Sequence, residues 1–215
     1  MLFGIPNFLN VASNAAFLLV GAAGLLSSNV RRAGGATLSW TIFFLGVAWV
    51  AVGSGYYHWA PSNATLVWDR LPMTIAFMAL FAGVMSEHAT PRLERALLLT
   101  AIAAGIGSVA WWAYTDDLRP YIVVQAAPLL AVVLALAAFP ARHTRRNHLL
   151  YGLGCYVLAK IFELEDTPIF ELTSGIVSGH TLKHIAAALA AFFVYRMLRG
   201  RKPITASAPA RGKNP

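Results

Sequence analysis

Two histidines four residues apart are the first candidates for chemistry in this chain. His180 and His184 stand in the run Gly-His-Thr-Leu-Lys-His, so both imidazoles point to one face of a helix. Imidazoles at that spacing can bind one metal ion, as they do on H-E-x-x-H helices. No glutamate lies between them, so the metalloprotease motif itself is absent. The pair also arises by chance among six histidines, so it does not decide the question alone.

Three further polar residues stand close to apolar segments. Ser54 precedes His58 by four residues, so these two side chains also share a helical face. Taken alone, they fit an interfacial histidine and a serine bonded to its own helix. Asp69, followed by Arg-Leu-Pro, fits a helix N-cap with a proline in the first turn. A capping carboxylate can also face a pocket, so the two roles do not exclude each other.

The composition places these residues in a membrane protein. The chain has 215 residues, of which 58% are hydrophobic and 12% are charged. A soluble domain is about 25% charged, and a disordered chain is poor in apolar residues. The single cysteine, Cys155, excludes a disulfide within the chain and a cysteine-based metal cluster.

Seven apolar stretches approach the length of roughly 20 residues that a spanning helix needs. The sequence therefore predicts an all-α, integral membrane bundle of seven transmembrane helices over residues 1–199. A basic tail over residues 200–215 is predicted to be disordered. The predicted spans are Phe8–Leu26, Leu38–Tyr57, Asp69–Ser86, Arg95–Trp112, Tyr121–Phe139, His148–Phe162, which is the shortest, and His180–Leu198.

The basic residues predict the orientation of the bundle. The net charge of +8 would suggest a nucleic-acid partner in a soluble protein. In a membrane protein, lysine and arginine accumulate in cytoplasmic loops instead. Thirteen of the 17 basic residues fall on one side of the predicted spans and four on the other. The N-terminus is therefore predicted outside and the C-terminus in the cytoplasm, with the membrane rather than nucleic acid as the partner.

This orientation brings the candidate residues to one membrane face. The second helix ends outside, and the third and seventh helices begin outside. The residues that share this face and a similar depth are Ser54, His58, Asp69, His180 and His184, whereas His88, His143 and His148 fall on the opposite side.

Three imidazoles with one open position describe a catalytic zinc site. Such a site lowers the pKa of a water molecule to about 7 and polarises a carbonyl group. Asp69 is then a candidate proton acceptor and later a donor to the leaving group. Ser54, or less directly Tyr57 or Tyr56, is a candidate hydrogen-bond donor to the developing oxyanion.

At these residues the sequence resembles the alkaline ceramidases, part of a group of seven-helix membrane hydrolases that also holds the adiponectin and progestin receptors. The group pattern is a serine four residues before a histidine in helix two, an aspartate near the start of helix three, and HxxxH in helix seven. Ser54, His58, Asp69, His180 and His184 match it in that order. The stretch Asn-Val-Ala-Ser-Asn over residues 10–14 also resembles the ceramidase branch.

The resemblance implies a zinc-dependent amidase that converts a ceramide-like lipid to a long-chain base and a fatty acid. It implies zinc ligands at His58, His180 and His184, with Ser54 and Asp69 assisting. Animal members carry an acidic calcium-binding segment before helix one, whereas this chain has no acidic residue before Asp69 and has Asn7 at the position of a glutamate. No calcium dependence is therefore expected.

Lys183 is a further departure, because the family often has tryptophan within the HxxxH motif of helix seven.

The short loops and basic tail suggest a bacterial inner-membrane protein. Its site is expected toward the extracytoplasmic face, and its substrate is expected to be a ceramide or another N-acyl lipid.

Two other interpretations remain open at the level of sequence. The receptor branch makes a signalling protein with a structural zinc ion a second hypothesis. A transporter is a third, but it would need polar groups at mid-membrane and inverted repeats, which the sequence lacks.

Overall fold

The computed structural model is an α-helical bundle, and it describes residues 3–31, 35–88 and 91–204. A 3-10 turn, Pro91–Leu93, joins two of the long helices. The helices are α1 Phe8–Ser13, α2 Ala15–Leu26, α3 Ser28–Arg31, α4 Thr37–Trp59, α5 Asn63–His88, α6 Glu94–Thr115, α7 Arg119–Ala138, α8 His148–Leu164, α9 Asp166–Leu172 and α10 Gly179–Gly200.

Six helical segments of the described residues are long and apolar enough to cross a membrane, which confirms the all-α membrane bundle. They are Phe8–Leu26, where α2 follows α1, and the helices α4, α5, α6, α7 and α10. Helix α8 corresponds to the shortest predicted span and has 17 residues. The seventh crossing and the orientation of the termini stay predictions.

The third long helix begins earlier than the sequence predicts. Helix α5 starts at Asn63, so Asp69 lies inside it and the N-cap interpretation of Asp69 is wrong. Ser62 and Thr65 cap the helix instead, because each side-chain oxygen accepts a hydrogen bond from the other residue's backbone N–H, at 3.0 and 3.1 Å. Pro72 consequently lies in the helix interior rather than in its first turn.

Helices α4 and α5 approach each other closely at Gly53. Pro72 has no N–H to donate to the carbonyl of Trp68 one turn earlier. That carbonyl lies against Gly53, where a Cβ atom would overlap it. Small residues let membrane helices approach to backbone contact. This contact brings Ser54, the next residue on α4, beside Asp69, the next residue on α5.

The most deeply buried large side chains lie at the other end of the bundle and include Trp40, Phe44 and Leu198. Trp40 precedes His58 by 18 residues on α4, about 27 Å along the helix axis. The largest of these buried side chains thus lie away from the end of α4 that carries the histidine.

The chain beyond α10 continues along this core. Arg201 is buried and forms an ion pair with Glu87 of α5 at 2.6 Å. Pro203 forms a β-bridge with His143. Residues 201–204 of the tail predicted to be disordered therefore make defined contacts, and residues 205–215 lie outside the described residues.

Candidate metal centre

Three imidazoles meet where α4 ends and α10 begins. His58 lies in the last turn of α4, and His180 and His184 lie in the first turns of α10. The Nε2 atoms of His58 and His180 are 3.1 Å apart. One ring nitrogen from each of the three histidines lies within 4.8 Å of the others. Since two nitrogens at 2.0–2.1 Å from a tetrahedral zinc ion are about 3.3 Å apart, the group fits one metal ion.

The first helical segment holds His184 in place. The Ser13 hydroxyl lies 2.8 Å from Nδ1 of His184, on the ring atom opposite Nε2. A hydrogen bond at the second ring nitrogen fixes the tautomer and the orientation of a metal-binding histidine. Ser13 in turn donates to the backbone carbonyl of Asn10 at 3.1 Å.

Asn10 also fixes the start of α10. Its Oδ1 accepts hydrogen bonds from the hydroxyls of Ser178 and Thr181, at 3.0 and 2.6 Å. Ser178 is the N-cap of α10 and accepts from the backbone N–H of Thr181 at 3.1 Å. Because α10 carries two of the three histidines, this network sets their distance from α1.

The junction of α8 and α9 supports His180 from the other side. The backbone N–H of His180 donates to Oδ1 of Asp166 at 2.7 Å. Gly179 makes this approach possible, because a Cβ atom there would overlap the backbone of Phe162 and Asp166. Asp166 therefore positions the backbone of the helix rather than the imidazole.

Ser54 and Asp69 face each other beside the histidines. Ser54 lies one turn before His58 and is buried, with 2% of its surface exposed. Its hydroxyl interacts with the carboxyl of Asp69 on α5. Both residues line the same cavity as His180 and His184.

A cavity of about 470 Å³ extends from the histidines into the bundle between α2, α4, α5, α7, α8 and α10. Polar groups lie at the histidine end, and the remainder is mostly apolar. The apolar lining includes Phe17, Val47, Phe77, Leu129, Leu149 and Val194. A slot of this kind accommodates an aliphatic chain with its polar end at the histidines.

The tyrosine and lysine residues near the histidines differ in whether they reach the cavity. Tyr57 lines the cavity, whereas Tyr56 has 52% of its surface exposed. Lys183 also lines the cavity and forms an ion pair with Glu163 at 2.5 Å. Lys160 bonds the second oxygen of the same carboxylate.

The structure brings together all five residues that the sequence singles out: His58, His180, His184, Ser54 and Asp69. The contacts of Ser13, Asn10 and Asp166 with α10 were not predicted. For Ser13 and Asn10 the sequence offers the likeness of residues 10–14 to a ceramidase motif, and for Asp166 a run of acidic residues typical of a solvated loop; neither says what those side chains touch.

A family model described as Ceramidase matches residues 4–161, more than half of the chain. The chain belongs to the ceramidase family. Comparison with curated proteins found no match. The resemblance inferred from the site residues is thereby confirmed, and membership of this family supports a hydrolase that acts on amide bonds.

The ceramidase match includes Ser54, His58 and Asp69 and ends before α10. The grouping of His180 and His184 with His58 is therefore an independent observation of the structure. Three imidazoles are a donor set that suits zinc, and the hydrogen bond at Nδ1 of His184 leaves Nε2 free for a metal ion.

Proposed function

We propose that this ceramidase-family protein is a zinc-dependent intramembrane amidase. It hydrolyses the amide bond of ceramide or a related N-acyl lipid and releases a long-chain base and a fatty acid. The observation that carries the proposal is the convergence of three imidazoles on one point at the polar end of an apolar cavity.

Zinc would be held by His58, His180 and His184. When bound, it supplies a Lewis acid for the amide carbonyl and lowers the pKa of a water molecule. A protein with only three ligands leaves a coordination position for water or substrate, as catalytic zinc sites do.

The carboxyl of Asp69 accepts the proton of the attacking water and later delivers it to the leaving amine nitrogen. The Ser54 hydroxyl donates a hydrogen bond to the carbonyl oxygen as negative charge develops there. The interaction between Ser54 and Asp69 holds both side chains beside the histidines before the substrate arrives. Because serine has a single hydroxyl proton, Ser54 turns from Asp69 to the carbonyl oxygen when it stabilises that oxygen.

The acyl chain of the substrate occupies the apolar part of the cavity, which places its amide beside the histidines. The lipid enters from the bilayer, and water reaches the histidines from the extracytoplasmic face. The excess of basic residues on the opposite side supports this orientation in a bacterial inner membrane.

The experiment combines metal analysis with an assay for released fatty acid. Detergent-purified protein is expected to contain about one zinc ion per chain and to release fatty acid from ceramide. His184→Ala is expected to lose zinc and turnover together, while His88→Ala, at the far end of α5, keeps both. Asp69→Asn is expected to keep zinc and to lose turnover by a factor of about 10² or more.

The same measurements separate the amidase from a signalling protein with a structural zinc ion. Zinc retention without fatty-acid release from any N-acyl lipid would favour the signalling protein. Folded protein that binds no zinc would contradict the ligand assignment.

A further inference from the structure

The cavity carries more positive charge than an uncharged lipid requires. Three cations and two carboxylates line it, which leaves one positive charge in excess. Charges in an apolar surrounding are unfavourable unless they are paired. The charged lining residues are Asp69, Arg70, Lys160, Glu163 and Lys183.

The two lysines share one carboxylate. Lys183 Nζ lies 2.5 Å from Oε1 of Glu163, and Lys160 contacts the other oxygen. Lys160 is about half exposed, whereas Lys183 is 22% exposed and acts electrostatically on Asp69 and the histidines. Glu163 therefore neutralises one of these two charges, and the other adds to the positive potential of the cavity.

Arg70 lacks an ion pair within 4 Å among the described residues, although it follows Asp69 in sequence. Its guanidinium stacks on Trp112, 3.7 Å from the ring centroid, and lies 5.0 Å from that of Tyr121. Its Nη1 atom is buried without a hydrogen-bond partner in the described part of the chain. These ring contacts hold the guanidinium in place but accept no conventional hydrogen bond from its N–H donors.

We propose that the substrate bears an acidic group, a carboxylate or a phosphate, on the amine side of the amide, and that Arg70 binds it. This inference rests on the proposed amidase function and names the substrate class. A guanidinium matches the geometry of both groups and donates charge-assisted hydrogen bonds to them. Because Arg70 neighbours Asp69, the acidic group lies near the scissile amide rather than at the end of the acyl chain.

The test uses two lipids that differ at one position. N-hexadecanoylserine carries a carboxylate where N-hexadecanoylserinol carries a hydroxymethyl group. The unmodified protein is expected to hydrolyse the serine lipid with a kcat/KM about tenfold or more above that of the serinol lipid. Arg70→Met, which keeps an apolar side chain against Trp112, is expected to lower this ratio about ten- to hundredfold.

Further arms identify the acidic group and control for loss of structure. Preference for ceramide 1-phosphate over ceramide, with no preference between the serine and serinol lipids, assigns a phosphate rather than a carboxylate. Lys160→Met removes a cation from the same cavity and is expected to change the ratios less than threefold. Arg70→Lys keeps the charge without the planar donor group and is expected to retain part of the preference.

Equilibrium binding of the serine and serinol lipids to metal-free protein gives a readout independent of turnover. A tighter dissociation constant for the serine lipid, reduced by Arg70→Met, is expected. The inference would be overturned if neutral lipids were preferred in both turnover and binding, or if Arg70→Met left the ratios of acidic to neutral lipid unchanged. Neither result would contradict the amidase function. Binding preference for acidic lipids without hydrolysis of any lipid would instead reject the amidase.

Discussion

The histidine cluster depends on polar side chains that do not themselves reach a metal ion. Ser13 contacts Nδ1 of His184, and Asn10 contacts both Ser178 and Thr181 at the start of α10. These bonds join parts of the chain that are 168 to 171 residues apart. The imidazoles therefore do not have to be oriented when a metal ion arrives, which raises the affinity of the site.

Removing the Ser13 hydroxyl is expected to weaken zinc binding without unfolding the bundle. Ser13→Ala leaves Nδ1 of His184 without its partner, and loss of such an outer contact reduces metal affinity by about 10- to 100-fold. Zinc affinity is measured by competition with a chelator. Ser39→Ala is the matched control, because the buried Ser39 hydroxyl has no hydrogen-bond partner in the described residues. Equal zinc affinities in the two variants would contradict the role of Ser13.

Residue types and spacing predicted the five central side chains, because metal ligands and carboxylates are few in an apolar chain. The same reasoning could not predict Ser13 or Asp166. Serine and aspartate are common near helix ends for capping alone, and their partners are set by how distant helices pack. The unpartnered Nη1 of Arg70 likewise becomes visible only when its neighbours are known.

At the scale of helices, the contact of α4 with α5 sets the distance between Ser54 and Asp69. Gly53 and Trp68, the residues before them, bring the two backbones together. Pro72 frees the Trp68 carbonyl from the helical hydrogen bond, and Gly53 provides space for it. The proline inside α5 is therefore part of how the site is assembled.

A methyl group at Gly53 is expected to separate these helices. In Gly53→Ala the new Cβ would overlap the Trp68 carbonyl, so α4 and α5 must shift and the contact of Ser54 with Asp69 is lost. Turnover is expected to fall by about 10²-fold, since displacements of about 1 Å have effects of that size. Gly55→Ala is the matched control, because no atom lies within 4 Å of a Cβ built there. Similar activity in both variants would show that close approach at Gly53 is dispensable.

A buried ion pair connects α5 to the segment after α10. Glu87 accepts hydrogen bonds from Arg201 and, at 2.7 Å, from Trp40 Nε1. Removing one partner of a buried pair leaves the other charge uncompensated, which costs about 3–5 kcal/mol. Glu87→Gln is therefore expected to lower the thermal unfolding midpoint in detergent.

The double variant Glu87→Met with Arg201→Met is the control for this effect. It removes both charges and is expected to be more stable than either single substitution, because replacing a whole buried pair by apolar groups is often neutral. Zinc content of the folded protein is expected to stay unchanged, since Arg201 lies 17 residues beyond His184, about 25 Å along the α10 direction. A double variant as unstable as Glu87→Gln would contradict this account.

At the scale of the whole molecule, hydropathy predicted the order of the six long helices of the described residues because each of them is largely apolar. It misplaced the start of α5 by six residues, since the Asp-Arg-Leu-Pro run resembles a helix start. Ser62 and Thr65 form the real cap, but serine and threonine are equally common in turns and loops. How far α5 extends on the N-terminal side of Pro72 depends on packing, here of the Trp68 carbonyl against Gly53.

The orientation of the bundle in the membrane follows from the distribution of charge alone. The sequence assigns thirteen of the 17 basic residues to the loops opposite the predicted histidine side, and sides rich in basic residues face the cytoplasm. Two exposed asparagines at helix starts provide a matched pair of labelling positions. Asn63 is the first residue of α5, and Asn147 directly precedes α8. In a Cys155→Ala background, Asn63→Cys is expected to react with a membrane-impermeant maleimide on intact cells, and Asn147→Cys only after permeabilisation.

A third position tests whether α8 crosses the bilayer. Leu172, at the end of α9, has 86% of its surface exposed. Leu172→Cys is expected to react from outside as Asn63→Cys does, because a crossing of α8 carries the chain from Asn147 to the histidine side. Its 17 residues extend about 25 Å, near the hydrocarbon thickness of about 30 Å. If Leu172→Cys reacts only after permeabilisation, the chain stays on the cytoplasmic side between α8 and α10. Helix α8 would then not cross the bilayer, which would contradict the seven-helix topology.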